Sequence, residues 1–340
     1  MKVDCSPIFG LLHQIPFDLS PQSARPPFDS DFPQLYHRPP MGQSQTFRRV
    51  ILCALLAVVV AWFTGCKRSP TVISAAQRPV VASLVPAATD LILCIGAGDH
   101  LAGISNFDHE RPELAGLPRV GDYQSVDWER LELIRPQILF IFQKPDRIPE
   151  GMRQKADALG IRLINVRTER LEDVFSAMKM LGHELNEPAK ADASIERLRN
   201  QLDRVRRRVA GLTPVKTLFV FDTAARNVVG PDTWLDDLLT IAGGQNVASE
   251  FNNRYPEIDP EKLKSLAPQA IIQLLPDATP QVLQQAKQRW ESLNELAAVK
   301  NNRLITLTDW YIMQPGCRVG DLAEQFADFL HPQPSNGNAP

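Results

Sequence analysis

Two carboxylates in matching settings are the first residues of this chain whose placement could carry chemistry. Asp127-Trp-Glu129-Arg-Leu131 runs on to Arg135-Pro136-Gln137, and Asp259-Pro-Glu261-Lys-Leu263 runs on to Ala267-Pro268-Gln269. Each segment sets a glutamate in the first turn of a short helix, stops at a proline seven residues later, and enters an apolar run, Ile138 to Phe142 or Ala270 to Leu275. Paired carboxylates can perform acid–base work, but these head different helices of a repeated αβ unit, and a duplicated geometry holds them far apart. Two other roles remain open. An acid in the first turn complements the positive end of its helix, and one carboxylate on each of two pseudo-symmetric lobes can engage a two-fold partner with one charge-assisted pair per side.

Other chemistries find little support. The chain has no Gly-x-Ser-x-Gly, P-loop or dinucleotide-binding glycine fingerprint, and Gly96-Ala-Gly98 follows a helix instead of opening one, so its glycines read as a C-cap. His100, His109, His183 and His331 show no ligand-like spacing, so a dedicated metal-ion site is not expected. A net charge of −2 gives no basic footprint for nucleic acid.

The elements that must position the glutamates can be read from period and punctuation. With 340 residues, 44% of them hydrophobic, the chain is long enough for two modest domains. A buried-strand pattern from Pro79 to Pro86 is followed by an apolar helix from Ala87 to Gly96, a strand at Leu101 to Ser105, the Glu129 helix and the strand at Ile138. A helix at Gly151 to Leu159 and a strand at Arg162 to Val166 complete an alternating series, which predicts a parallel sheet covered by helices. After a helix from Leu171 to about Gly182, residues Pro188 to Val209 carry Ile195, Leu198, Leu202, Val205 and Val209 at helical spacing. With no Gly or Pro inside it, such a helix spans about 33 Å and acts as a strut. The series then repeats, with a strand at Lys216 to Phe221, a helix from Thr233 to Ala242, the Glu261 helix, and strands at Ala270 to Leu275 and Arg303 to Leu307. A helix from Asp321 to Leu330 closes it. Ile95-Gly-Ala-Gly98 and Ile241-Ala-Gly-Gly244 align at an offset of 146 residues. The expected organisation is a lobe at 79–185, a linking helix at 186–211, a second lobe at 212–332 and a disordered tail at 333–340.

The N-terminal region reads as an export signal. Arg48-Arg49 precede an apolar stretch from Val50 to Phe63, then Thr64-Gly65-Cys66, a positive n-region, a short h-region and small residues before a cleavage point. The stretch is short for a membrane span. Phe63-Thr-Gly-Cys66 resembles a bacterial lipobox, with Phe63 in place of the usual leucine, which would make Cys66 the lipidated first residue after a signal peptide at 41–66. An uncleaved anchor helix is the other reading; both place the remainder outside the cytoplasm. Residues 1–40 are proline-rich and aperiodic, so translation is expected to begin at Met41; residues 67–78 form a polar tether. Cys94 and Cys317 remain after the leader. Export permits a bridge between them, but no spacing supports one, and Cys94 reads as a small core residue of its helix.

Taken in order, Ser83-Leu-Val-Pro86-Ala-Ala-Thr89-Asp90, Ile95-Gly-Ala-Gly98, Pro118-Arg-Val-Gly121-Asp-Tyr123-Gln124-Ser125, the Glu129 helix, Ala242-Gly-Gly244 and Gln314-Pro-Gly316-Cys-Arg318 resemble the substrate-binding lipoproteins of ABC importers for cobalamin, ferric siderophores and haem. The resemblance covers roughly residues 79–331. It implies an α/β fold of two Rossmann-like lobes with parallel sheets, joined by one long rigid helix, with the ligand in the cleft between them. It also implies a monomer, anchored by lipid to a bacterial membrane, that delivers a metal-chelate to a permease dimer and its ATPase without catalysing a reaction or holding a cofactor. Cobalamin or another corrinoid is the first expected ligand, and a ferric siderophore or haem the alternative. Glu129 and Glu261 would dock onto permease arginines. A surface sensor or scavenger without a permease is a further reading.

Open α/β sheets bind ligands at the loops after their strands. Those loops supply Phe107 and His109, Tyr123 and Gln124, Asn227 and Tyr255, and Trp310, Tyr311 and Arg318 as candidate ligand-binding residues. Aromatic side chains suit a large flat ligand. The resemblance places Tyr123 and Tyr255 where cobalamin binders present tryptophans, and Phe107 where they present a tyrosine. His109 is either a surface histidine hydrogen-bonded to a neighbour or a ligand to the metal of a bound chelate.

Overall fold

The computed structural model describes residues 78–144 and 147–332; the expectations for the leader, Cys66, the tether before residue 78 and the tail fall outside the described residues. Strands β1 (Val81–Ser83), β2 (Leu101–Gly103), β3 (Ile138–Ile141) and β4 (Arg162–Asn165) pair in parallel in the order β2-β1-β3-β4. Strands β5 (Val215–Val220), β6 (Gly244–Asn246), β7 (Ala270–Leu274) and β8 (Leu304–Leu307) repeat that order as β6-β5-β7-β8. Parallel sheets need both faces covered, and the central strands β3 and β7 are buried throughout. The expected pair of parallel-sheet α/β lobes is therefore the observed fold.

Helices α1 (Pro86–Cys94), α2 (Trp128–Ile134), α3 (Glu150–Leu159) and α4 (Leu171–Glu184) belong to the first sheet, and α5 (Pro188–Val209) follows it. The second sheet carries α6 (Trp234–Ile241), α7 (Pro260–Leu266), α8 (Pro280–Glu291), α9 (Ala297–Lys300) and α10 (Val319–Leu330). The two glutamate helices repeat each other down to their caps. Asp127 accepts a hydrogen bond from the Arg130 N–H and Asp259 from the Lys262 N–H, at 2.9 and 2.7 Å. Both helices then end on a left-handed residue that is not glycine, Arg135 (φ 52°) and Ala267 (φ 45°), each directly before a proline. That conformation costs about 1–2 kcal/mol in a residue with a side chain, so its recurrence at the same place marks one unit used twice. The turn glycines revise the expected alignment. Gly96 (φ 69°) and Gly243 (φ 78°) hold the equivalent left-handed position after α1 and α6, which sets the offset between the lobes at 147 residues (243 − 96), one more than the sequence alignment assigns. Gly244 instead opens β6, a strand the periodicity does not predict.

The hydrophobic core is continuous from one lobe into the other. Leu91, Phe140 and Met178 of the first lobe and Phe219, Leu239 and Phe326 of the second belong to a single buried cluster. Leu198, Leu202 and Val205 of α5 lie within that cluster, where the 3–4 spacing turns them to one face. The outer face of each sheet has a smaller core of its own, around Leu131 and Leu139 in the first lobe and around Leu263, Ile271 and Trp290 in the second. Among the described residues no helix is long and apolar enough to cross a membrane.

Candidate functional site

The candidate ligand residues fall into three groups at the carboxyl ends of the strands. In the first lobe, the Phe107 and Tyr123 rings lie 5.7 Å apart, and the Gln124 amide donates to the Tyr123 hydroxyl at 3.1 Å. Asp122 shapes this turn by accepting from the backbone N–H groups of Gln124 and Ser125 and from the Asn106 amide. In the second lobe, Tyr255 packs edge-on to Phe221, the residue after β5, at 5.9 Å. Asn227 donates to Asp222 at 2.8 Å beside it. Burial pushes the Tyr255 phenol above its ordinary range, against the pull of the Arg254 charge.

The third group crosses between the lobes. The His109 imidazole from the first lobe stacks on the Trp310 indole of the second, with centroids 5.1 Å apart and planes 7° from parallel. The Arg111 guanidinium sits 4.9 Å from the same indole. His109 Nδ1 also lies 3.6 Å from the exposed carboxylate of Asp277 in the second lobe. Tyr311 meets Trp310 edge-on at 5.6 Å, carries the Arg318 guanidinium at 5.3 Å, and takes a hydrogen bond from Gln325 at 3.3 Å. His109, Trp310, Tyr311 and Arg318 are thus brought together from segments about two hundred residues apart in sequence.

Residues absent from the sequence-based candidates hold these loops in place. Asp108, between Phe107 and His109, is buried at 4% exposure; its carboxylate accepts from the Ser105 N–H at 2.8 Å and the Thr89 hydroxyl at 3.0 Å. Burial pushes its pKa up to about 6, against the hydrogen bonds from Ser105 and Thr89 and the charges of Arg111 and Arg119. Arg119 donates to the carbonyls of Ser105, Asn106 and Asp108 at 2.7, 3.1 and 2.9 Å, so one guanidinium gathers the whole turn. Asp90, buried in α1, accepts from Arg111 Nη1 at 2.6 Å and from the Cys317 N–H of the other lobe at 2.7 Å. The short polar strings Asn-Phe-Asp-His and His-Glu-Arg-Pro show that a loop is present. They do not show that its acid turns inward.

A second seam repeats the Asp90 arrangement. At the offset of 147, Asp90 corresponds to Asp237 of α6, which accepts from the Leu171 N–H of the first lobe at 2.9 Å and from the Arg170 guanidinium. The first helix of each lobe therefore offers a carboxylate to the backbone at the start of the last helix of the other. Glu169 extends the seam, accepting the Trp234 N–H at its carbonyl at 2.7 Å and facing Arg254 at 3.7 Å. Cys94 corrects its sequence reading. It is only partly buried and forms a disulfide with Cys317, their Cα atoms 5.4 Å apart, because the end of α1 faces the start of α10 across the lobe boundary.

Glu129 and Glu261 are both exposed in the first turns of their helices. Their surroundings differ. On α2, Leu133 is 84% exposed and forms a shallow recess with Glu129, Glu132 and Arg135. The corresponding face of α7 carries Ser265, with Lys264 paired to Glu295 at 2.7 Å.

Several known proteins share this architecture. The vitamin B12-binding protein of Vibrio cholerae serotype O1 is 22% identical over 251 residues, covering 74% of this chain and 88% of that protein. The uncharacterized ABC transporter substrate-binding lipoprotein YvrC of Bacillus subtilis is 22% identical over 258 residues, covering 74% and 80%. Among solved structures, the periplasmic vitamin B12 binding protein BtuF of Vibrio cholerae aligns with a TM-score of 0.62 at 22% identity, covering 74% of this chain and 96% of that one. A periplasmic heme binding protein from Pseudomonas aeruginosa aligns at 0.63 and 22% identity, covering 76% and 94%; at these identities the structures speak to the fold alone. Residues 81–311, more than half of the sequence, match the periplasmic binding protein family, and the chain belongs to that family of substrate-binding proteins.

Proposed function

We propose that this chain captures a metal-chelate between its two lobes, a corrinoid of the cobalamin type first, and delivers it to the permease dimer of an ABC importer. The observation that carries this reading is that loops of both lobes present aromatic side chains, Phe107 with Tyr123 in the first and Tyr255 in the second, and that His109 of the first lobe stacks on Trp310 of the second beside Tyr311 and Arg318. Aromatic faces on both sides of a boundary offer a large planar molecule contact area at small entropic cost, and a guanidinium offers its acidic substituents a forked partner. Relatives described as vitamin B12-binding proteins support the choice of ligand. In this reading Glu129 and Glu261 dock on the permease, Cys66 carries a lipid that holds an exported monomer at the membrane, and no reaction is catalysed.

Haem or a ferric siderophore is the second reading. His109 supports this reading, because its imidazole is partly exposed beside the Trp310 indole and an imidazole nitrogen is a common metal ligand. Calorimetric and absorbance titration of the purified protein with cyanocobalamin, haemin and a ferric hydroxamate siderophore separates these readings. Saturable one-to-one binding of cyanocobalamin alone is expected. Haemin binding with a Soret shift that disappears in His109→Ala would transfer the assignment to haem, and binding of none of the three would remove the chelate reading.

A further inference from the structure

The disulfide between Cys94 and Cys317 joins the two lobes in a second place, 223 residues apart in sequence and independent of α5. It does not stand alone. In the same segment, the Cys317 N–H binds Asp90 at 2.7 Å, and the Gln314 amide donates to the Pro86 carbonyl at 3.1 Å. Gly316 lies so close to α1 that a Cβ there would sit 2.2 Å from Asp90 Oδ2. The stretch from Gln314 to Cys317, just before α10, is therefore fastened to the first helix of the other lobe. The chain between β8 and α10 also carries Trp310, Tyr311 and Arg318.

We propose that the Cys94–Cys317 disulfide is a positioning element of the cleft, which fixes the wall formed by Trp310, Tyr311 and Arg318 to the first lobe as well as to the lobe in which it is encoded. The seam related by pseudo-symmetry has no covalent counterpart: Ile241 stands at the position equivalent to Cys94, and Arg170 with Asp237 closes that side by charge and hydrogen bonds. The two seams are thus unequal. Relative motion of the lobes pivots about the disulfide side, and widening takes place on the side of Glu169, Arg170 and Asp237. The ligand part of this inference rests on the capture reading above; the mechanical part does not.

The test is hydrogen–deuterium exchange on the full chain, comparing the oxidised protein with protein reduced in its folded state by a phosphine and alkylated, and with the Cys94→Ala/Cys317→Ala variant. Exchange of the amides in 310–318 is expected to rise at least tenfold on loss of the bridge, with little change in 250–275. In the oxidised protein, exchange at 169–171 and 232–237 is expected to exceed that at 310–318. Equal protection of 310–318 with and without the bridge would overturn the proposal. The phosphine-treated sample has already folded, so that comparison decides the matter even if the variant fails to fold. If the oxidised protein binds one of the three chelates, loss of the bridge is expected to weaken binding at least tenfold, and unchanged affinity would overturn the link to the cleft. If it binds none, the capture reading fails while exchange still decides whether the bridge positions the segment.

Discussion

Asp108 gives a prediction whose sign and size follow from its surroundings. Its carboxyl is moved from an ordinary value of 3.8 to about 6 by burial beneath the turn that presents Phe107 and His109. Between about pH 4 and pH 6 the folded chain therefore keeps a proton that the unfolded chain has released. Stability then falls as pH rises through that window and, as far as this group is concerned, is constant above it. A difference of about 2.2 in pKa at about 1.4 kcal/mol each is about 3 kcal/mol. Asp108→Asn removes the titration while keeping a carbonyl oxygen in place of the one carboxylate oxygen that accepts from both Ser105 and Thr89. Urea unfolding of both proteins at intervals from pH 4 to pH 7.5 isolates the effect, because other titrating groups cancel in the difference. The variant is expected to gain about 2.5 kcal/mol on the natural protein between the ends of that range, since the unfolded carboxyl is already partly ionised at pH 4. Parallel stability curves would refute the argument, and would mean that the hydrogen bonds and the Arg111 and Arg119 charges balance the desolvation of Asp108.

Two further substitutions probe the core and the exposed glutamates. Leu202, 1% exposed on α5 where the lobes share one core, is expected to cost about 2–5 kcal/mol on replacement by Ala, through lost burial and the cavity left behind; both lobes should still melt in one transition by calorimetry. Glu129→Ala/Glu261→Ala is expected to leave stability and ligand affinity within error of the natural protein and to abolish uptake by cells, and undiminished uptake would remove the docking role.

The repeat, both parallel sheets and α5 can be read directly because their signals are local. Proline stops, apolar runs and the 3–4 spacing of Leu198, Leu202, Val205 and Val209 lie within one helix or one strand. The N-cap of α8 is a local signal of the same kind, with Thr279 accepting from the Val282 N–H and Pro280 in the first turn, although α8 is absent from the expected elements. β6 is not legible: three residues between a helix and a short 3₁₀ turn are too few to show a period. The site divides in the same way. Aromatic residues after strands can be found from order alone, whereas the stacking of His109 on Trp310, the clasp of Arg119 on three carbonyls and the pairing of Cys94 with Cys317 depend on tertiary approach between distant segments.

The continuous core has a consequence for how such a chain can change over generations. Duplication of a βαβα unit begins with two self-sufficient halves, each exchangeable for a cousin. Here Leu91, Met178, Leu202, Leu239 and Phe326 belong to one buried cluster, so each half carries an oily face that its sister and α5 together cover. A lobe cannot be traded between relatives as a cassette unless its partner's matching surface travels with it. The halves descend from one design, and they now persist or fail as a single inheritance.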